Sequence, residues 1–168
     1  KYPNQGGMSR VATLIEQIRN EESNTILLDA GDIFQGTPYF NLFGGEVELK
    51  LMSQMKYDAG TMGNHDFDNG IDGFNNVLHN ANFPFLCANY DFDDTILKGK
   101  TKPYHIIEKQ GIKIGIFGIG IELDGLVDSR LYGNTIYSDP ITTANKYAKL
   151  LKEEHTCNAV ICLSHLGY

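Results

Sequence analysis

The sequence predicts a layered α/β domain. Two observations carry the prediction: helical and strand patterns alternate along the chain, and the strand-like runs are short and apolar, as expected of strands covered on both faces. A third bears on function. Three of these runs end in Asp, Asn or His, and in such folds ligands bind beyond the carboxyl ends of the strands.

Val11, Leu14, Ile15 and Ile18 recur at helical spacing, so residues 8–22 are predicted to form an amphipathic helix. Thr25-Ile26-Leu27-Leu28 is a short strand entering the loop Asp29-Ala30-Gly31-Asp32. Val47, Leu51, Met52 and Met55 mark a second helix. Residues 59–62 form a short strand that runs into Gly63-Asn64-His65-Asp66. Ile71, Phe74, Val77 and Leu78 mark a third helix. Residues 85–88 read as a further buried strand and residues 91–102 as a polar surface loop. Residues 104–108 and 112–118, broken at Gly111, read as a hairpin. Asp139 is a candidate N-cap and Pro140 suits the first position of a fourth helix, with Ile141, Ala144, Tyr147, Ala148 and Leu151 on one side. Residues 158–163 form the last strand, and Ser164-His165-Leu166-Gly167-Tyr168 reads as the start of a loop. No repeat, low-complexity tract or linker interrupts residues 1–168, which read as part of one domain. The chain starts at Lys1, not Met, and reads as a fragment cut at both ends.

Composition narrows the function classes. Apolar residues make up 42% of the 168, enough for a core. A net charge of −7 argues against a nucleic-acid polymer or an anionic membrane surface as partner. No run approaches the ~18 apolar residues of a membrane span, and no secretory signal opens the chain. Cys87, Cys157 and Cys162 are spaced for no zinc knuckle and read as small buried apolar residues.

The polar strand ends carry the chemistry. Asp32, flanked by Gly31, is a carboxylate whose two oxygens can bridge two metal ions ~3.5–4 Å apart, although a turn or N-cap role is equally open to it. Asn64 offers a neutral, hard amide oxygen. Its neighbour His65 cannot easily reach the same ion and is left to act on substrate, with Asp66 and Asp68 both candidates to orient its ring. His165, at the exit of an apolar strand, supplies an imidazole ligand. Together Asp32, Asn64 and His165 form a mixed O/N set that suits Zn, Mn, Co or Fe better than Ca. His79, His105 and His155 read as surface or packing residues.

Three strings, Leu27-Leu28-Asp29-Ala30-Gly31-Asp32-Ile33-Phe34-Gln35-Gly36-Thr37-Pro38, Gly63-Asn64-His65-Asp66-Phe67-Asp68-Asn69-Gly70 and Ser164-His165-Leu166-Gly167, resemble the 5′-nucleotidase branch of the calcineurin-like metallophosphoesterases. Gly6-Gly7-Met8-Ser9-Arg10 and Met55-Lys56-Tyr57-Asp58-Ala59 are similar to the same branch, so the resemblance runs over nearly the whole chain. It implies a four-layer αββα sandwich, here incomplete at both ends, with two divalent ions at the strand ends. By position, Asp32 resembles the bridging ligand, Asn64 and His165 ligands of the second ion, and His65 with Asp68 the catalytic dyad. Asp66 stands where the branch most often has Glu.

The resemblance also implies what lies outside this chain: an Asp-x-His strand, a Gly-His-x-His loop and a C-terminal domain that grips the nucleoside. The implied reaction is metal-assisted hydrolysis of nucleoside 5′-monophosphates. Alternatives are 2′,3′-cyclic nucleotides, nucleotide sugars, a sulfur-containing ester, or a binding domain without catalysis. Members of the family are usually exported, periplasmic or surface-attached.

Overall fold

The computed structural model describes residues 6–167, so Lys1 to Gln5 and Tyr168 of the terminal loop lie outside the described residues. Helix α1 (Met8–Glu21) forms where the spacing predicts it. Its apolar stripe of Met8, Val11, Leu14 and Ile18 is exposed, and the Arg19 guanidinium ties the helix down by donating to the Met55 and Lys56 carbonyls. Strand β1 (Leu28–Asp29) pairs in parallel with β2 (Ala59–Gly60), and α2 (Pro38–Phe43) and α3 (Glu46–Gln54) connect them. A 3-10 turn (His65–Phe67) then leads into α4 (Gly70–Leu78).

The second half is built on β4 (Tyr104–Lys109), β5 (Ile112–Gly120) and β7 (Ala159–His165), with β5 central, antiparallel to β4 and parallel to β7. A smaller antiparallel pair, β3 (Tyr90–Asp91) with β6 (Ile136–Tyr137), brackets the short helix α5 (Ser129–Tyr132). Helix α6 (Pro140–Lys149) opens as its sequence predicts: Pro140 takes the first position and Asp139 Oδ1 accepts from Thr142 N–H at 2.7 Å. It runs on into a π turn (Leu150–Glu154) before β7.

Strand β5 shows why the apolar run had to be central. Ile116 faces Ala59, Leu86 and Leu163, while Phe117 and Ile119 on the opposite face meet Leu151 and Cys157. At Gly118 there is no room for a side chain. A Cβ there would strike the Leu86 carbonyl oxygen and the Thr61 hydroxyl, which themselves hydrogen-bond at 2.6 Å. This seam joins the β1–β2 pair to the β4–β5–β7 sheet.

Four expectations need correction. Residues 85–88 form no named strand, because successive groups bond to different neighbours: Leu86 N–H donates to Gly60, Cys87 N–H to Lys102 and Ala88 N–H to Gly118. The segment stitches the sheets together and belongs to no single ladder. Residues 91–102 are no purely polar loop, since Phe92 and Leu97 are buried and pin it to the core. Ser164 and His165 belong to β7 and do not start a loop, because they continue its parallel register opposite Ile119 and Gly120. Cys162 is exposed, since neighbouring strand residues face opposite sides and Leu163 takes the buried one. All three cysteines are free thiols.

The largest core cluster is aromatic and lies beneath the polar loops. Phe74, 1% exposed, sits between Phe34 (centroids 5.8 Å) and Phe85 (5.0 Å, edge-to-face). Phe74→Ala is expected to cost about 3–5 kcal/mol of stability, read from denaturant unfolding, because the cavity would open inside this cluster.

Candidate functional site

The predicted residues converge. The loop after β1 carries Asp32, the loop after β2 carries Asn64 and the turn with His65 and Asp68, and β7 delivers His165. Parallel pairing of β1 with β2 and of β5 with β7 puts these strand ends on one side of the molecule. The close approach needs glycine. A Cβ on Gly63 would collide with Asp32 Oδ1, with Asp32 N at 2.7 Å and with His165 Cε1 at 2.7 Å.

Asp32 sits at the junction. Its backbone has φ 60°, a left-handed conformation in which Asp is among the few tolerated side chains. Asp32 Oδ1 accepts from the backbone N–H of His65 at 2.9 Å. Its Oδ2 lies 3.3 Å from His165 Nε2. His165 Nδ1 lies 2.8 Å from the Ala30 carbonyl oxygen, which can only accept, so Nδ1 carries the proton. In the neutral ring Nε2 then points a lone pair at a carboxylate oxygen. Only a cation or a further proton resolves such a contact. The backbone carbonyl behind the imidazole is also how a metal-ligating His is usually oriented.

His65 and Asp68 form the predicted pair, with Nδ1 2.9 Å from Asp68 Oδ2. This hydrogen bond, ahead of every other cause, holds the His65 pKa above its ordinary value; partial burial opposes it, and the charges of Asp68, Asp32 and Asp66 add to it. Asn64 precedes the 3-10 turn and is half-buried, and its side chain makes no capping hydrogen bond. Among the described residues no group of three or more His, Cys, Asp and Glu side chains is arranged to hold a metal ion. Asp32, His165 and Asn64 offer one carboxylate, one imidazole and one amide, an O/N set of the chemistry a divalent cation takes.

Sequence reasoning missed two supports. Asp66 does not touch the His65 ring. It is buried and accepts backbone N–H groups from both loops. Burial pushes its carboxyl up to about 6, against the pull of the Gly63 and Asp32 amides. Asp29, quoted above without a role, accepts from Gly31 N–H at 2.9 Å and turns the chain toward Asp32. Burial raises its pKa too, while the Gly31 hydrogen bond and the charge of His165 oppose the rise. Neither role has a local signature, since both depend on which backbone arrives from elsewhere. The three remaining histidines are peripheral: His79 is exposed, His105 lies in β4, and His155 Nε2 bonds the Tyr104 hydroxyl at 2.9 Å.

Comparison with known proteins identifies the family. The model of the calcineurin-like phosphoesterase family matches residues 4–167. A 5′-nucleotidase of Vibrio cholerae is 36% identical over 167 residues, covering 96% of this chain and 30% of its own. The structure of an NAD nucleotidase of Haemophilus influenzae superposes with a TM-score of 0.88 at 37% identity, covering 96% of this chain and 29% of that one. A 5′-nucleotidase precursor of Thermus thermophilus gives a TM-score of 0.88 at 34% identity, covering 97% and 32%. The chain thus spans about a third or less of the length of these relatives, and the four-layer α/β sandwich is the fold it shares with them.

Proposed function

The chain belongs to the calcineurin-like phosphoesterase family, and on that premise we propose that residues 1–168 are part of the catalytic domain of an enzyme hydrolysing nucleoside 5′-monophosphates. The observation that carries the reading is the unresolved Asp32–His165 contact beside the oriented His65–Asp68 pair. Asp32, Asn64 and His165 are the residues that would hold divalent ions of the Zn, Mn, Co or Fe type, with the Asp32 carboxylate at the junction of the two loops and His165. Two such ions, when bound, neutralise phosphoryl oxygens and activate a water for in-line attack. His65 keeps its proton to higher pH through Asp68 and presents its other nitrogen to the phosphoryl group and the leaving alkoxide.

A catalytic ion usually has at least three protein ligands, so the remaining ligands come from outside these 168 residues, as does the nucleoside-gripping domain. The name of the Thermus relative, a precursor, supports an exported protein. Among the described residues no helix is long and apolar enough to cross a membrane. The name of the Haemophilus relative favours a second substrate, a dinucleotide such as NAD, at the same site.

The test is phosphate release by the full-length protein from AMP, 2′,3′-cyclic AMP, a nucleotide sugar and NAD (coupled to a phosphatase where no free phosphate forms). AMP is expected to turn over best, to stop with a chelator and to recover with Mn²⁺ or Zn²⁺. The 168-residue chain alone is expected to fall more than about tenfold below, for lack of ligands. Absence of metal-dependent turnover of every substrate would overturn the reading.

A further inference from the structure

Asp66 is 1% exposed, yet its carboxylate is fully engaged. Oδ2 accepts from Gly63 N–H at 2.7 Å and Asp32 N–H at 2.9 Å. Oδ1 accepts from Ile33 N–H at 3.1 Å, with Phe34 N–H at 3.4 Å. The donors are three successive amides of the loop after β1 and one of the loop after β2. None of the four has a carbonyl partner among the described residues. The 3-10 turn that carries Asp66 also carries His65, whose own N–H binds Asp32 Oδ1.

We propose that Asp66 is a positioning residue: its buried carboxylate staples the 32–34 backbone to Gly63, and so aims Asp32 and Asn64 at one metal ion. The metal part rests on the reading above. The staple itself rests on geometry alone. A left-handed, non-glycine backbone such as that of Asp32 persists only where its surroundings over-determine it, and three consecutive amides gripped by one carboxylate do that. The group has to be a carboxylate. Every partner is a donor, so an amide in its place would turn an NH₂ toward two N–H groups. Asp66 thus acts on the ligands through their backbone, whereas Asp68 acts on the His65 ring.

The test uses Asp66→Asn and Asp66→Glu in the full-length protein. In the metal-free state, Asp66→Asn is expected to speed amide hydrogen exchange at Asp32, Ile33 and Gly63. Its Mn²⁺ affinity by calorimetry is expected to fall about 10–100-fold, the usual effect of losing a group that orients metal ligands. With Mn²⁺ raised to saturation, kcat should recover while KM for AMP stays unchanged. Asp66→Glu, which keeps the carboxylate, should lie nearer wild type than Asp66→Asn. A group that merely stabilised the fold would lower the melting temperature and leave Mn²⁺ affinity, measured well below that temperature, unmoved. Mn²⁺ affinity within twofold of wild type in a folded Asp66→Asn protein would overturn the proposal. Should Asp66→Asn fail to fold, wild-type exchange decides: slow exchange at the three amides supports the staple, and loop-like exchange refutes it. Failure of the phosphoesterase reading looks different, since wild type would then bind Mn²⁺ without turnover and the affinity comparison would still stand.

Discussion

Asp32→Ala in the full-length protein loses both metal ions and metal-dependent turnover. The expectation follows from what the carboxylate touches. One oxygen holds the His65 backbone and the other faces His165 Nε2 at 3.3 Å, so the carboxylate links the loop after β2 to the end of β7. Activity should drop by at least the ~10²–10³-fold that a single charge-stabilising group is worth. A backbone effect has to be separated from the chemistry, because Ala in the left-handed region costs roughly 1–2 kcal/mol. Asp32→Asn is the control. Asn tolerates that conformation, so stability should hold, yet a neutral amide lacks the charge with which the carboxylate would hold two cations. Metal analysis of the purified variants checks this. Two tightly held ions in Asp32→Ala would remove Asp32 from the metal site.

His65→Asn keeps its metals and loses about 10²–10⁴-fold in kcat, the range for one positioned acid–base group. The ring is oriented through Nδ1 by Asp68, and the bond from His65 to Asp32 runs through the backbone N–H, which Asn keeps. The pair also predicts a pH signature. Because the hydrogen bond to Asp68 raises the His65 pKa, the protonated form persists above its ordinary range, and activity that needs it is lost as pH rises through the raised value. Asp68→Asn removes that cause, so the alkaline limb of the kcat profile should move to lower pH. With side chains 39% and 29% exposed, the pair adds little to stability, and that little follows the same sign, present at low pH and lost as pH rises. A limb that stays put in Asp68→Asn would show that another group titrates there.

Much of the fold was legible because the signals were local. The spacing of Val11, Leu14 and Ile18, the Asp139–Pro140 start of α6 and the break at Gly111 each act within a few residues. Elements missed in the sequence are those whose existence depends on a distant partner. Strands β3 and β6 are two residues each and exist only through pairing across some 45 positions. Helix α2 spans six residues, too few for a periodic pattern, although Thr37 Oγ1 accepts from Phe40 N–H and Pro38 opens it as a capped helix should.

By itself the sequence determined which residue types stand at the strand ends, Asp32, Asn64, His65, Asp68 and His165, and in which order. From the residues alone the choice between Asp66 and Asp68 as partner of His65 stayed open; the family resemblance pointed to Asp68, and only the folded chain shows the ring contact and what Asp66 does instead. Both acids are close in sequence to His65, and the 3-10 turn brings the one three residues on under the ring while burying the other. The commitment of His165 Nδ1 to Ala30, 135 positions away, was equally invisible, as was the left-handed backbone of Asp32. A side chain's chemistry is a property of the residue. Its direction and proton are set by the donors and acceptors that folding brings to it from far along the chain.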